Sequence, residues 1–432
     1  MQSVWLSNVE LPKFPKFEGY KSVDVLIIGG GLAGLLTAYF LEQNGVDYML
    51  LEGDRVAHST TGNTTAKITF QHGLIYQKLL KNFGIEGAQK YLKINQQAFL
   101  KYEELANDID CDYEVKDNYV YSLDDRIKLE NELKALESIG YKAELCDKLP
   151  LKFKTAGAVK FSAQAQFNPL KFLSEIIKNL NIYECTKVKE MIGNIAVCDK
   201  AKIKAKKVIV TTHFPFINKH GSFFLKLYQH RSYVLALQDA QNVKGMYVDE
   251  NNKGMSFRNC RGLLLLSGGG HRTGKNGGNW AELRRFAKQY YPKAIEKYCW
   301  AAQDCMSLDS VPYIGQYSKN TPDLLVATGF NKWGVSGSMV AAMILSDMCL
   351  EKQNDCADIF NPSRNILKPQ LLVNSAEAVG NLLSFKSKRC PHLGCALKWN
   401  KTEHSWDCAC HGSRFTEDGR VLNNPANTDI KR

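Results

Sequence analysis

Residues 22–52 constrain the fold of this chain more than any other stretch, because they read as a strand, a turn, a helix and a second strand. Residues 23–28 form a short apolar, β-branched run, which is typical of a strand buried on both faces. The turn has the spacing G-x-G-x-x-G, supplied by Gly29, Gly31 and Gly34. These glycines allow a tight turn, a close approach of the backbone to phosphate, and close helix–strand packing. The unit therefore predicts a dinucleotide-binding site.

An acidic residue, Glu52, follows a predicted helix over residues 32–43 and a predicted strand over residues 48–51. A carboxylate at this place accepts hydrogen bonds from a ribose diol and repels an additional 2′-phosphate. The motif by itself does not separate FAD from NAD. A second glycine run, at residues 268–270, lacks the third glycine and a following helix, so it predicts no second dinucleotide site.

Composition narrows the class of protein. With 432 residues, of which 44% are hydrophobic, the chain is long enough for two or three domains. It has no apolar run near the roughly 20 residues that cross a bilayer, and its N-terminus does not resemble a signal peptide. We therefore expect a cytoplasmic protein with no membrane insertion. The net charge of +12 comes from dispersed lysines without a nucleic-acid motif, so no nucleic-acid partner is expected.

The C-terminal segment contains four of the thirteen cysteines. Cys390-x-His392 is followed by Cys408-x-x-His411, and two thiolates and two imidazoles this close predict either a zinc site or an iron–sulfur cluster. Zinc-finger pairs generally place two cysteines on one turn and two histidines on a helix, whereas each turn here supplies one of each. The mixed pairing favours a 2Fe–2S cluster in which one iron binds both cysteines and the other binds both histidines.

The pattern C-x-H-x-G-C followed by C-x-C-H-G-S-x-F resembles the Rieske signature. The resemblance implies a disulfide between the two inner cysteines, Cys395 and Cys410. It also implies that Ser413 donates a hydrogen bond to the cluster. The metal ligands that it implies are Cys390, His392, Cys408 and His411.

The first three-quarters of the chain resembles FAD-dependent oxidoreductases of the D-amino-acid oxidase and glycine oxidase type. The resemblance rests on the fingerprint with Glu52 and on residues 60–72, 208–212, 309–315 and 329–338. With the C-terminal motif included, the whole chain resembles bacterial FAD-dependent oxidoreductases that carry a C-terminal Rieske domain, which implies FAD as the dinucleotide.

This resemblance and the strand and helix patterns predict an α/β fold, α+β overall. A Rossmann-like FAD-binding domain is joined to an antiparallel-sheet substrate domain, and a small all-β Rieske-like module follows. The oxidoreductase region would cover residues 1–350, with FAD-binding segments 22–72, 161–214 and 306–350 and substrate-domain segments 73–160 and 215–305. A linker at residues 351–369 would lead to the Rieske-like module at residues 370–432.

The resemblance also implies individual site residues. Lys332 would lie beside the flavin, where a cation stabilises the negative charge of the reduced ring, with a solvated loop lysine as the alternative. Arg258 and Arg231 would bind a substrate carboxylate in a bidentate manner, with surface ion pairs as the alternative. Besides the three glycines and Glu52, the FAD contacts implied are Thr64, Thr65, Val188, Gly329, Gly334 and Val335.

The predicted activity is oxidation of an amine or amino acid by hydride transfer to flavin. A Rieske cluster passes one electron at a time, so we expect an acceptor besides oxygen, such as an electron-acceptor protein, and favour a dehydrogenase over an oxidase. Two alternatives remain open at this point. One is a flavin electron-transfer partner without an amine substrate, and the other is a flavoprotein whose C-terminal module binds zinc and serves for interaction.

Overall fold

The computed structural model describes residues 2–251, 254–384 and 388–430. The helices within these ranges are α1 (Leu32–Gln43), α2 (Tyr76–Asn107), α3 (Arg126–Ser138), α4 (Pro169–Ile176), α5 (Phe223–Lys226), α6 (Asn279–Tyr290), α7 (Gly334–Cys349) and α8 (Pro369–Leu382), with 3-10 turns at Thr61–Asn63 and Ala357–Phe360. The strands are β1 (Gly19–Ile28), β2 (Tyr48–Leu51), β3 (Lys67–Ile68), β4 (Glu114–Ser122), β5 (Glu144–Cys146), β6 (Gly157–Gln166), β7 (Ile182–Tyr183), β8 (Glu190–Ile192), β9 (Ile195–Val197), β10 (Ala201–Val210), β11 (Tyr228–Gln238), β12 (Met246–Asp249), β13 (Ser256–Cys260), β14 (Leu263–Arg272), β15 (Ile295–Met306), β16 (Tyr313–Gln316), β17 (Leu324–Thr328), β18 (Leu397–Asn400), β19 (Ser405–Cys408), β20 (Arg414–Phe415) and β21 (Val421–Asn423).

The first sheet is built around β1, which pairs in parallel with β2 on one side and with β10 on the other. Its order is β16-β17-β10-β1-β2-β7, and β8 and β9 extend it from β10. Ile28 pairs with both Leu51 and Val210, so β2, β1 and β10 end at the same edge. In doubly wound sheets this carboxyl edge is where ligands bind.

Hydrophobic side chains of β1 point to both faces of this sheet. Val25 and Ile27 belong to the core that includes α1 and α7, whereas Leu26 and Ile28 pack into a second core on the other face. Burial on both faces explains why the strand reads as a continuous apolar run rather than as an alternating one.

Helix α1 and strand β2 lie at the residues predicted from sequence, 32–43 and 48–51. β1 begins at Gly19 rather than at residue 23, because residues 19–23 pair with residues 201–205 of β10. Most side chains in that extension are exposed, so local hydrophobicity does not reveal it.

The second sheet has nine strands in the order β15-β11-β14-β13-β12-β4-β6-β3, with β5 paired to β6. Its pairs are antiparallel except for β12 with β4, which confirms the predicted antiparallel sheet. β3 and β6 lie in this sheet, although the predicted FAD-binding segments 22–72 and 161–214 include β3 and part of β6. The exact domain boundaries stay a prediction.

The C-terminal sheet has four antiparallel strands, β18 to β21, which confirms the small all-β region. Helix α8 precedes this sheet and was not predicted from sequence. The predicted linker, residues 351–369, packs onto the protein: Ile359 and Phe360 are buried. Arg364 forms an ion pair of 2.7 Å with Asp309 and lies 3.9 Å above the ring centre of Tyr313. The C-terminal sheet therefore follows a segment that is anchored to the first sheet.

Candidate cofactor sites

A cavity of about 1030 Å³ lies at the carboxyl edge of the first sheet. Its lining includes the turn after β1, the segment after β2, residues 211–213 after β10, and residues of the second sheet. β21 and the residues after it complete the lining. A large concave site at this edge is the expected place for a dinucleotide and a substrate.

The glycine turn has the geometry that its spacing predicts. Gly29 has φ +115°, a conformation that favours glycine. A Cβ on Gly34 would lie 2.0 Å from the Gly29 carbonyl oxygen, so Gly34 lets α1 pack against the turn. A Cβ on Gly31 would meet nothing closer than 3.5 Å, and Gly31 lines the cavity at the start of α1. The turn thus leaves an open cradle at a helix N-terminus, which fits the pyrophosphate of FAD.

Glu52 lies at the end of β2 and lines the cavity. Its Oε2 accepts a hydrogen bond of 2.7 Å from the Gly30 amide, and its Oε1 accepts one of 2.9 Å from the Asp54 amide. Burial raises the pKa of Glu52, while these amides act in the opposite direction. The amides hold the carboxylate at the cavity wall, and its contact with a ribose stays a prediction.

Most other predicted FAD contacts also reach the cavity. Thr64, Thr65, Val188, Gly334 and Val335 line it. Gly329 lies outside the lining, and a Cβ on it would come within 3.2 Å of both Leu227 and Ser307. Gly329 therefore shapes the turn before α7 rather than the cavity surface.

Lys332 lines the cavity in a left-handed conformation, with φ +71°. Although its side chain faces the open cavity, desolvation by the surrounding protein lowers the pKa of Lys332, and the Asp304 carboxylate opposes this shift. Lys332, just before α7, and Asp304, in β15, therefore bring a cation and a carboxylate to the cavity wall. The role of Lys332 beside reduced flavin stays a prediction.

The two arginines predicted to bind substrate have other partners. Arg258 is buried outside the cavity lining, and its Nη1 donates to the carbonyl oxygens of Thr65 at 2.8 Å and Ala66 at 2.5 Å. Arg231 lines the cavity but forms a bidentate ion pair with Glu403, with 3.0 Å between Nε and Oε1. The structure does not support a carboxylate-binding role for either arginine, because Arg258 lies outside the cavity lining and Arg231 is already paired with the Glu403 carboxylate.

Lys67 is a site residue that sequence reasoning missed. It lies in β3, is 8% exposed and lines the cavity. Its Nζ donates to Ser256 Oγ, and among the described residues it has no carboxylate partner. Burial, with a smaller contribution from the Arg258 guanidinium, lowers the pKa of Lys67 to about 7. A sequence signal existed: between Arg55 and Lys78, Lys67 is the only Lys, Arg, Asp or Glu.

The C-terminal cysteines and histidines converge in the structure. Cys390 and Cys408 are buried, and the imidazole rings of His392 and His411 lie 4.9 Å apart. Nδ1 of each histidine is buried and has no hydrogen-bond partner among the described residues. His392 Nε2 lies 2.9 Å from Asn218 Oδ1, and with Nε2 as the donor the Nδ1 lone pair is free for a metal.

These donors fit a 2Fe–2S cluster, since two buried thiols lie in the same site as two buried imidazole nitrogens that have no partner among the described residues. All thirteen cysteines lie in the described ranges and are free, so the disulfide that the resemblance implied between Cys395 and Cys410 is not formed. The sulfur atoms of Cys395, Cys408 and Cys410 lie within 4.8 Å of one another. They pack together without a covalent bond.

The cluster loop, which we define as residues 408–413, docks on the second sheet beside the cavity. Gln229 Nε2 donates to the His411 carbonyl at 3.0 Å, and Gln303 Nε2 donates to the Gly412 carbonyl at 2.9 Å. Arg272 donates from Nε to the Ala409 carbonyl at 3.0 Å. These side chains satisfy carbonyl groups of the loop, so the loop is held by the oxidoreductase region.

One aromatic residue connects the two sites. His213 lines the cavity, and the next residue, Phe214, is fully buried with its ring 6.2 Å from the ring of His392 and 6.2 Å from that of His411. Burial lowers the pKa of His213 to about 4, which keeps its imidazole neutral. Sequence reasoning missed Phe214, because its contacts depend on how the C-terminal segment docks.

Comparison with known proteins identifies the family. A sequence model described as FAD dependent oxidoreductase matches residues 24–348. The chain belongs to this family. A second model, described as Rieske [2Fe-2S] domain, matches residues 361–432. The oxidoreductase therefore has two cofactors, FAD and a 2Fe–2S cluster, which confirms both predictions.

The relatives agree with this assignment. The oxidoreductase is 32% identical over 494 aligned positions to "Putative Rieske 2Fe-2S iron-sulfur protein YhfW" of Bacillus subtilis, covering 100% of this chain and 97% of that protein. Its fold is similar to that of glycine oxidase from Geobacillus kaustophilus, with a TM-score of 0.68 and 17% identity over 80% of this chain and 99% of that one. Its fold is also similar to that of L-proline dehydrogenase from P. horikoshii, with a TM-score of 0.67 and 13% identity over 81% of this chain and 98% of that one.

Within the described residues, no helix has both the length and the hydropathy to cross a membrane.

Proposed function

We propose that this oxidoreductase oxidises an amine or an amino acid and that the electrons leave one at a time through the cluster to an acceptor. FAD supplies hydride acceptance from the C–H bond beside the nitrogen and release of single electrons. The observation that carries the proposal is the path of residues 212–214, which run from the cavity wall to the two histidines of the cluster site. Because such a path serves an acceptor other than oxygen, we favour a dehydrogenase, with an electron-acceptor protein as its partner.

The substrate class is supported by two observations. The similar folds belong to proteins described as a glycine oxidase and an L-proline dehydrogenase, which act on small amino acids. Lys67 supplies a buried ammonium at the cavity wall, in β3 of the second sheet and without a carboxylate partner among the described residues. A buried charge of this kind is stabilised by an anion. We therefore assign Lys67, in place of Arg231 and Arg258, to the carboxylate of an amino-acid substrate.

The Lys67→Met variant is expected to bind simple carboxylates such as acetate or benzoate about 10- to 100-fold more weakly, because a charged hydrogen bond is lost. Perturbation of the flavin absorption spectrum measures this binding without turnover. Since the pKa of Lys67 is about 7, the ammonium is present below that pH, and carboxylate binding should weaken as the pH rises through 7. The Lys332→Met variant serves as the control. If only Lys332→Met, and not Lys67→Met, weakened carboxylate binding, the assignment would be contradicted.

The Phe214→Leu variant is expected to slow reduction of the cluster by reduced flavin several-fold, while flavin reduction by substrate is unchanged. The ring contacts both histidines, and an isobutyl group fills much of the space without an aromatic system. Phe224→Leu is the matched control, because Phe224 also faces His411, at 6.4 Å, but does not follow a cavity-lining residue as Phe214 follows His213. Anaerobic stopped-flow absorbance separates the two steps. If both variants slowed cluster reduction equally, the proposed path through Phe214 would be contradicted.

The test of the function itself is an anaerobic screen of amino acids and secondary amines against the protein with both cofactors. A substrate should bleach the flavin first and the cluster afterwards. Rapid peroxide formation at full turnover without an added acceptor would instead indicate a simple oxidase. Flavin bleaching with a cluster that stays oxidised would contradict the electron path.

A further inference from the structure

A segment at residues 421–427 contributes to the wall of the cavity that the glycine turn lines. This segment lies beyond the cluster loop in sequence, more than 350 residues after Glu52. Its residues in the cavity lining are Val421, Leu422, Asn423, Asn424, Ala426 and Asn427. The cavity is therefore incomplete without the part of the chain that carries the cluster.

We propose that residues 421–427 are a wall of the FAD site and that, through them, FAD binding and cluster binding strengthen each other. The inference concerns the two cofactors and holds whatever the substrate is. It assigns residues of the Rieske module to FAD retention, a role separate from electron transfer.

Asn427 makes the first connection between this segment and the rest of the cavity wall. Its Nδ2 donates to the carbonyl oxygen of Val188 at 3.1 Å and to that of Lys189 at 2.8 Å. Val188 lines the cavity together with Thr186 and Lys187, and the Thr186 amide donates to the Glu52 carbonyl at 2.9 Å. Asn427 thus holds the backbone that borders this part of the cavity.

Asn424 makes the second connection. Its Nδ2 donates to the carbonyl oxygens of Thr212 and Phe214, the latter at 2.9 Å. Thr211, one residue earlier, donates from Oγ1 to the Gly29 carbonyl at 2.9 Å. Residues 421–427 therefore fix the strand end that packs against the glycine turn.

The same segment is bonded to the cluster loop. The Ala426 amide donates to Ser413 Oγ at 3.0 Å, and the Ser413 carbonyl accepts from the Cys408 amide at 2.9 Å. Gln229 Nε2 donates both to the His411 carbonyl and to the Asn424 carbonyl, at 3.0 and 2.9 Å. When the cluster binds, it orders this loop and, through these hydrogen bonds, residues 421–427 as well. FAD then binds to a cavity wall that is already ordered. Linkage requires the reverse effect to be equal in size.

The first test compares Asn427→Ala with Asn400→Ala in the full chain. Asn400 lies in the same module and bonds to Asp407 but does not line the cavity. We expect Asn427→Ala to weaken FAD binding about tenfold through loss of two hydrogen bonds, and Asn400→Ala to leave it unchanged. Fluorescence of released FAD gives the dissociation constants. Equal affinities for wild type and Asn427→Ala, or equal losses in both variants, would overturn the wall assignment.

The second test uses only the wild-type chain and so does not depend on any variant folding. An iron chelator is added to cluster-loaded protein with and without bound FAD, and cluster absorbance is followed. We expect FAD to slow the loss of the cluster, and cluster-free protein to hold FAD more weakly than cluster-loaded protein. Identical rates of cluster loss together with identical FAD affinities would overturn the coupling, whether or not any amine proves to be a substrate.

Discussion

Replacing Gly34 by alanine is expected to lower the free energy of unfolding by about 3 kcal/mol or more and to abolish FAD binding. The added Cβ would lie 2.0 Å from the Gly29 carbonyl oxygen and 2.8 Å from Thr211 Oγ1. Neither neighbour can move away easily, since Gly29 follows β1 and Thr211 follows β10, at the centre of the first sheet. Chemical denaturation and FAD titration measure the two effects.

Gly31→Ala is the matched control, because its Cβ would meet no protein atom closer than 3.5 Å. We expect this variant to fold with nearly wild-type stability while binding FAD weakly, since the added methyl group occupies the cradle. If Gly34→Ala unfolded at the same denaturant concentration as wild type, the close packing of α1 on the turn would be wrong. If Gly31→Ala bound FAD as tightly as wild type, the placement of the FAD pyrophosphate at this turn would be wrong.

Replacing Glu403 by alanine is expected to destabilise the protein by about 3–5 kcal/mol, because it leaves a buried guanidinium without its carboxylate. Glu403 joins Arg231 of the second sheet to Arg414 of the C-terminal sheet, with 2.9 Å between Arg414 Nη2 and Glu403 Oε2. The side chains of all three are less than 10% exposed. In the variant Arg414 still has a carboxylate partner, Asp407, at 3.0 Å, so Arg231 is the guanidinium that is left without one.

The exposed residue Glu417 provides the control, and Glu417→Ala should change stability by less than about 0.5 kcal/mol. The double variant Arg231→Met with Glu403→Gln should recover part of the lost stability, since it removes the unpaired charge as well. Thermal unfolding of the four proteins makes the comparison. A Glu403→Ala protein as stable as Glu417→Ala would show that the ion pair does not hold the module.

The pH dependence of stability gives an independent check on Glu403. Burial alone raises the pKa of Glu403, but the Arg231 and Arg414 guanidinium groups outweigh burial and hold it below its ordinary value. The stabilisation is therefore fully present above the ordinary glutamate pKa of about 4.3 and is lost as the pH falls through the lower folded value. Glu403→Gln should flatten the acid limb of the stability profile, whereas an unchanged limb would contradict the assignment.

The sequence by itself determined the features that depend on neighbouring residues. The glycine spacing, the helix over 32–43 and the strand over 48–51 are all contained in one short stretch, and the structure has them at those residues. The paired C-x-H and C-x-x-H motifs predicted the cluster for the same reason, because each half of the site is local. Such features are encoded by backbone geometry and side-chain type over a few residues.

Only the tertiary structure decided which partner each charged or aromatic side chain has. Arg231 bonds to Glu403, 172 residues away, and Arg258 bonds to Thr65, 193 residues away, so neither is free for a substrate. Lys67 reads as a loop lysine until β3 places it in the cavity wall, and Phe214 acquires its role only when the cluster loop docks. The physical reason is that a side chain's partner is set by packing between distant segments, which local patterns do not contain.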